Sequence, residues 1–180
     1  MMKYLVEVCC GSYADCIAAA NAKADRVELN SALHMGGLTP SLASLVLVKR
    51  DVAIPVIAMV RPRGGGFCYD EYEFETMLND TRILLEHGAD GIAFGCLDKD
   101  ANVHKAQTVE MCNLIHSYGK EIVFHRAFDC VQNAEEAVQF FIDQKVHRIL
   151  TSGQQANAVL GMAKLLLKSL SGLFSLQKLK

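Results

Sequence analysis

The chain has 180 residues, 51% of them apolar, and a formal net charge of −2. That length supports one domain with a substantial core, and that apolar content excludes a disordered chain. The small negative charge argues against a protein that binds nucleic acid by neutralising phosphates. No apolar run reaches the length of a membrane span, about 18 residues. The opening "MMKYLVEVCC" lacks the long apolar stretch and small-residue cleavage pattern of a signal peptide, so a cytosolic protein is expected. Seven cysteines, an odd number without CxxC spacing, read as free thiols.

In chain order, "YLVEVC" (4–9) predicts a first strand. Ser12 with Asp15 then starts a helix that places Cys16, Ala19 and Ala20 on one face. "RVEL" (26–29) predicts a second strand. Thr39-Pro40 reads as an N-cap followed by proline in the first helical position, with Leu42, Leu45 and Val46 turned inward. "PVIAMV" (55–60) is the third strand, and Phe74, Met77, Leu78, Thr81, Leu84 and Leu85 trace a helical stripe ending before Gly88. "GIAFG" (91–95) is the fourth strand, followed by a helix through Met111, Leu114, Ile115 and Tyr118 with Gly119 at its end. "EIVFH" (121–125) is the fifth strand. Asn133 and Glu136 cap a helix carrying Ala137, Val138 and Phe141, and "RILTS" (148–152) is the sixth strand. A helical segment and the tail "SGLFSLQKLK" close the chain. From Lys145 onward there are six Lys/Arg and no Asp or Glu, so the tail reads as a basic amphipathic helix or a cover for the last strand.

Strict alternation of strand and helix, with near-continuous apolar strands, predicts a parallel sheet with helices outside it. The first strand–helix turn, "CCGSYAD", has no GxGxxG, which weakens a dinucleotide-binding sheet. Polar residues end many strands, which favours a TIM-barrel-like (β/α) fold, truncated to about six units where a closed barrel needs eight. The expectation is a single domain over 1–180 with an atypical tail at 168–180, open edges at the first and sixth strands, and possible self-association through them.

The strand ends supply the candidate site. They are Glu7, Cys9 and Cys10; Glu28 and Asn30; Arg61 and Arg63 with three glycines; Gly95 and Cys96; His125, Arg126 and Asp129; and Thr151, Ser152 and Gly153. Arg61, Arg63, Arg126 and Ser152 are candidates for gripping an anion, because the guanidinium fork matches carboxylate and phosphate. Glu7, Glu28, His125 and Asp129 are candidates for acid–base work. Strand alternation puts His125 and Arg126 on opposite faces unless the strand has already turned, and His125 is expected to face the interior. The alternative is an internal salt-bridge network of Glu and Arg at the barrel mouth. Cys9, Cys68, Cys96 and Cys130 follow strand ends and are soft ligands, but without a spaced ligand motif.

The blocks "EVCCGS", "ADRVELN", "GGLTPS", "RPRGGGFCY", "FHRAFD" and "RILTSGQ" resemble, in order and spacing, the signature blocks of the CutC family of copper-homeostasis-associated TIM-barrel proteins, from about residue 5 to 166. The resemblance implies a cytosolic barrel that handles copper as Cu(I) on cysteine, with Cys9 and Cys10 as the metal candidates. The family often ends its second strand in cysteine, where this chain has Asn30, and its glycine loop typically reads GGD, where this chain has Gly66. It also implies two further strands. Two functions follow as expectations: a Cu(I)-binding homeostasis protein, or a lyase- or isomerase-type enzyme acting on a small anionic metabolite.

Overall fold

The computed structural model describes residues 5–163, so the tail expected at 168–180 lies outside the described residues. Six strands form one parallel sheet in sequence order: β1 (Glu7–Cys10), β2 (Arg26–Leu29), β3 (Val56–Met59), β4 (Gly91–Phe94), β5 (Glu121–Phe124) and β6 (Arg148–Ile149). Five helices make the crossovers: α1 (Tyr13–Asn21), α2 (Leu42–Asp51), α3 (Glu71–Glu86), α4 (Lys105–Ser117) and α5 (Ala134–Asp143). None is long and apolar enough to cross a membrane.

The sheet is curled. In a flat sheet β2 and β5 would lie three strand spacings apart, about 14 Å. Yet Arg26 on β2 reaches Glu121 on β5 at 3.3 Å, and Arg148 on β6 reaches Glu7 on β1 at 2.8 Å. The sheet therefore wraps as a half-barrel with those side chains inside.

Strand alternation divides the burial into two cores. Val27, Leu29, Ala58, Val60, Ile92, Phe94, Ile122 and Phe124 face outward and pack under the helices with Leu45, Met77, Leu84, Met111, Ile115 and Phe141. The inward residues Ile57, Met59, Ala93 and Val123, with Leu150, form a second, smaller cluster inside the curl.

The helix starts follow their caps. Ser12 accepts from the Asp15 amide, Asn133 accepts from Glu136, and Asp70 with Glu73 forms a reciprocal capping box. α2 differs from expectation. Its cap is Ser41, not Thr39, because Thr39 is spent on the end of β3: its amide donates to the Arg61 carbonyl and its hydroxyl accepts from the Arg61 amide, both at 3.0 Å. The inward face of α2 runs through Leu45 and Val48, which are buried, while Leu42 and Val46 are exposed.

Candidate active site at the strand ends

The interior below the strand ends is polar and paired. Glu7 accepts from Arg26 Nε and from Arg148 Nη1, and Glu121 accepts from Arg148 Nε at 2.5 Å and from Arg26 Nη1. Two carboxylates and two guanidinium groups from β1, β2, β5 and β6 thus neutralise one another. This is the Glu/Arg network that the sequence admits, but it lies at the strand starts and not at the mouth.

Above it a cavity of about 360 Å³ opens between the strand ends, lined by Glu7, Cys9, Glu28, Leu33, Gly36, Met59, Arg61, Phe67, His125, Arg126, Leu150 and Thr151. Glu28 is 4% exposed. Its Oε1 accepts from Asn30 Nδ2 at 3.1 Å, and its Oε2 has no partner among the described residues. Burial moves its pKa above the usual carboxylate range, with the Asn30 hydrogen bond opposing. Asn30 also donates to the Glu28 carbonyl and to Cys9 Sγ, at 3.2 and 3.3 Å. Nothing in the residue pattern assigned Asn30 that positioning task; its place one turn of the strand pleat beyond Glu28 was the available signal. Gly37 makes room for it, since a Cβ there would sit 2.4 Å from Asn30 Oδ1.

His125 ends β5 and is 4% exposed. Its Nδ1 accepts from the Ala127 amide at 3.1 Å, so in the neutral ring the hydrogen sits on Nε2, which has no partner among the described residues. Burial, and then the charge of Arg61, depress its pKa to about 3, so the ring is neutral at physiological pH. Gly95 permits this placement: a Cβ would lie 2.6 Å from the imidazole. The ring also packs on Phe67, with centroids 5.1 Å apart.

The chain turns into a short 3₁₀ helix, Arg126–Cys130, immediately after His125. The turn cancels the alternation that would have separated the two residues, and both His125 and Arg126 line the cavity. Asp129 points instead to the segment after β6. It accepts from Thr151 Oγ1, from the Ser152 and Gln154 amides, and from Arg126 Nε at 2.9 Å. Burial opposes its ionisation, but these hydrogen bonds together hold its pKa below the usual range. Ser152 is buried between Asp129 and Arg126, whose Nη2 donates to its hydroxyl. Neither Asp129 nor Ser152 lines the cavity; together they fix Arg126 at its rim.

The two arginines of the glycine loop separate. Arg63 pairs with Glu73 and donates to the carbonyls of Gly64, Gly66 and Cys68, away from the cavity. Arg61, 6% exposed, lines it. Arg61 Nη1 donates to the Met35 and Gly37 carbonyls and Nη2 to Gly65, which ties the loops after β2 and β3 together, while Nε has no partner among the described residues.

The thiols do not converge on the cavity. Cys9 opens on the cavity, where enclosure of its sulfur and the neighbouring Glu28 carboxyl push the thiol up to about 12. Cys10 leaves the strand on the opposite face, in the outer core, with its thiol on the Val8 carbonyl. Cys96 is also in that outer core, and Cys68 and Cys130 are exposed. Among the described residues no group of three or more His, Cys, Asp or Glu could hold a metal ion. A two-thiolate Cu(I) site therefore does not fit this cavity: one sulfur lines it, and the side-chain amide of Asn30 donates to that sulfur.

The CutC family model matches residues 4–171. The chain belongs to the CutC family. CutC proteins of Treponema denticola and Sodalis glossinidius are 44% and 45% identical over 161 residues, 89% of this chain. The chain spans 65% and 63% of those relatives' length, a little under two thirds. A solved CutC structure from Streptococcus agalactiae, named for copper homeostasis, matches with a TM-score of 0.87 and 25% identity, covering 97% of this chain and 85% of that one. A phosphoenolpyruvate phosphomutase from Streptomyces platensis shares the fold alone, with a TM-score of 0.60 at 8% identity over 84% of this chain and 60% of that one.

Proposed function

We propose that the cavity binds a small anionic metabolite and that Glu28 and His125 handle protons on it, in chemistry of the lyase or isomerase type. The observation that carries this reading is the pair of buried, unpartnered polar atoms, Glu28 Oε2 and His125 Nε2, on residues of one cavity. Each such atom costs about 1–3 kcal/mol when left unmade, so a fold that keeps two together at a strand-end cavity has a use for them. Glu28, with its raised pKa, exchanges a proton nearer neutrality than an ordinary carboxylate does. His125, neutral with hydrogen on Nε2, polarises a carbonyl or hydroxyl oxygen as a donor and does not act as a base. Arg126 at the rim and Arg61 inside supply positive charge. The test is proton exchange: 2-oxo acids incubated with the protein in D₂O should gain deuterium beside the carbonyl, and Glu28→Gln should stop it. Retained exchange in Glu28→Gln, or none above buffer across the set, removes the reading.

Copper handling is the second reading. It is favoured by the Cys9 thiol opening on the cavity and by the name of the Streptococcus agalactiae structure. Here Cu(I) is cargo, and this chain offers it one sulfur. A Cu(I) competition titration of the reduced protein decides it: affinity equal to that of Cys9→Ser ends the copper reading at this site.

A further inference from the structure

Arg61 is a buried guanidinium without a counter-charge. Arg26 and Arg148 are balanced by Glu7 and Glu121, Arg63 pairs with Glu73, and Arg126 pairs with Asp129. The Arg61 guanidinium donates to three backbone carbonyls and lies over the Phe67 ring, 4.9 Å from its centroid, and among the described residues no carboxylate lies within ion-pair distance of it. Carbonyls engage Nη1 and Nη2 but leave the charge standing and Nε without a partner among the described residues, and an uncompensated buried charge is among the costliest features a fold can keep. The carboxyl that shares the cavity, Glu28, takes its hydrogen bond from Asn30 and makes no ion pair with Arg61. Arg61 is therefore left without an ion-pair partner among the described residues. Met59, Phe67, Leu150 and Leu33 give the cavity apolar wall beside its polar groups.

We propose, resting on the metabolite reading above, that the ligand is an organic monoanion, a carboxylate with an apolar body, whose single charge is the counter-ion of Arg61. Compensation acts through space across a buried, low-dielectric site and does not require the carboxylate to displace the carbonyls from the guanidinium. A dianion would leave one negative charge uncompensated beside Glu28. An inorganic anion would leave the apolar walls bare. The Arg61 charge selects the ligand's charge, and the walls select its body.

The experiment uses the wild-type full chain, because Arg61 also ties two loops and its variants risk misfolding. Butyrate, butyramide, succinate and inorganic phosphate are titrated at constant ionic strength and pH 7.5, followed by ¹⁵N NMR of Arg61 Nε and His125 Nε2. Butyrate should shift both signals saturably. Butyramide, which lacks the charge, should bind at least about tenfold more weakly, and succinate and phosphate should also bind more weakly than butyrate. Butyramide, succinate or phosphate matching butyrate overturns the charge assignment and leaves the proton-exchange reading standing. Saturable binding by none of the four overturns the monoanion proposal, while the deuterium-exchange experiment independently decides the chemistry.

Discussion

Glu7 is the carboxylate on which two arginines converge, and removing its charge is the sharpest test of how the curl is held. Glu7 and Arg148 side chains are 6% and 5% exposed, and Arg26 is 10% exposed. In Glu7→Gln, Arg148 and Arg26 would share only Glu121, leaving one buried cation in excess. Breaking a buried pair by removing one partner costs about 3–5 kcal/mol. With a urea slope of about 2 kcal/mol per molar, the unfolding midpoint should fall by roughly 1.5–2.5 M. Arg148→Met should cost a similar amount by leaving a carboxylate in excess. The double variant removes one charge of each sign and leaves the Arg26–Glu121 pair, which is balanced. Its cost should fall short of the sum of the singles by about 2 kcal/mol. Urea melts of the four proteins provide the cycle. Single costs below about 1 kcal/mol, as for an exposed pair, or strict additivity, would refute the claim that these charges neutralise one another inside the barrel.

Three further outcomes are expected. His125 should stay neutral with its hydrogen on Nε2 from pH 8 down to pH 5 in ¹⁵N spectra; a midpoint near 6.5 would contradict its burial. Its depressed pKa means that the unfolded chain takes up a proton the folded chain refuses, so His125 contributes stability above the ordinary histidine pKa that is lost as pH falls from there toward about 3. Glu28 has the opposite dependence: its raised folded pKa favours the native state at acid pH, and that contribution fades as pH rises above the ordinary carboxylate range. Glu28→Gln should therefore melt higher than wild type at pH 8 and close to it at pH 4, and a variant that melts lower at pH 8 counts against the assignment. Asp129→Ala should free the segment after β6, with faster hydrogen exchange at the Ser152 and Gln154 amides and about 2 kcal/mol lost globally; unchanged exchange at both amides would count against it.

The strands were legible because each is a short apolar run between helix-period segments, and their inward–outward alternation followed from the pleat. The cavity was legible as a set of strand ends, and His125 facing inward was read from that rule. Partner choice was not legible, because it depends on loop geometry. Arg61 and Arg63 sit two residues apart in one glycine loop, yet one is turned onto carbonyls inside the barrel and the other onto Glu73 outside it. Asp129 read as a catalytic candidate beside His125, but a single turn of 3₁₀ helix carries it to the next strand's loop. The Thr39 cap failed for the same reason: the β3 end claimed its hydroxyl first. Glu7 looked like a mouth residue, and its pairing with Arg148, 141 positions away, is outside the reach of any local pattern.

That separation bears on how the chain folds as it is synthesised. Every β-ladder joins strands adjacent in sequence, so each new strand docks on the one made just before it. The Glu7–Arg148 contact waits for 141 residues, roughly 7–30 s at ribosomal speed. Until Arg148 emerges, Arg26 has Glu7 and then Glu121 to pair with, and both carboxylates share that one guanidinium. The ring of four charges is therefore a latch that needs a chain extended through β6 to fasten.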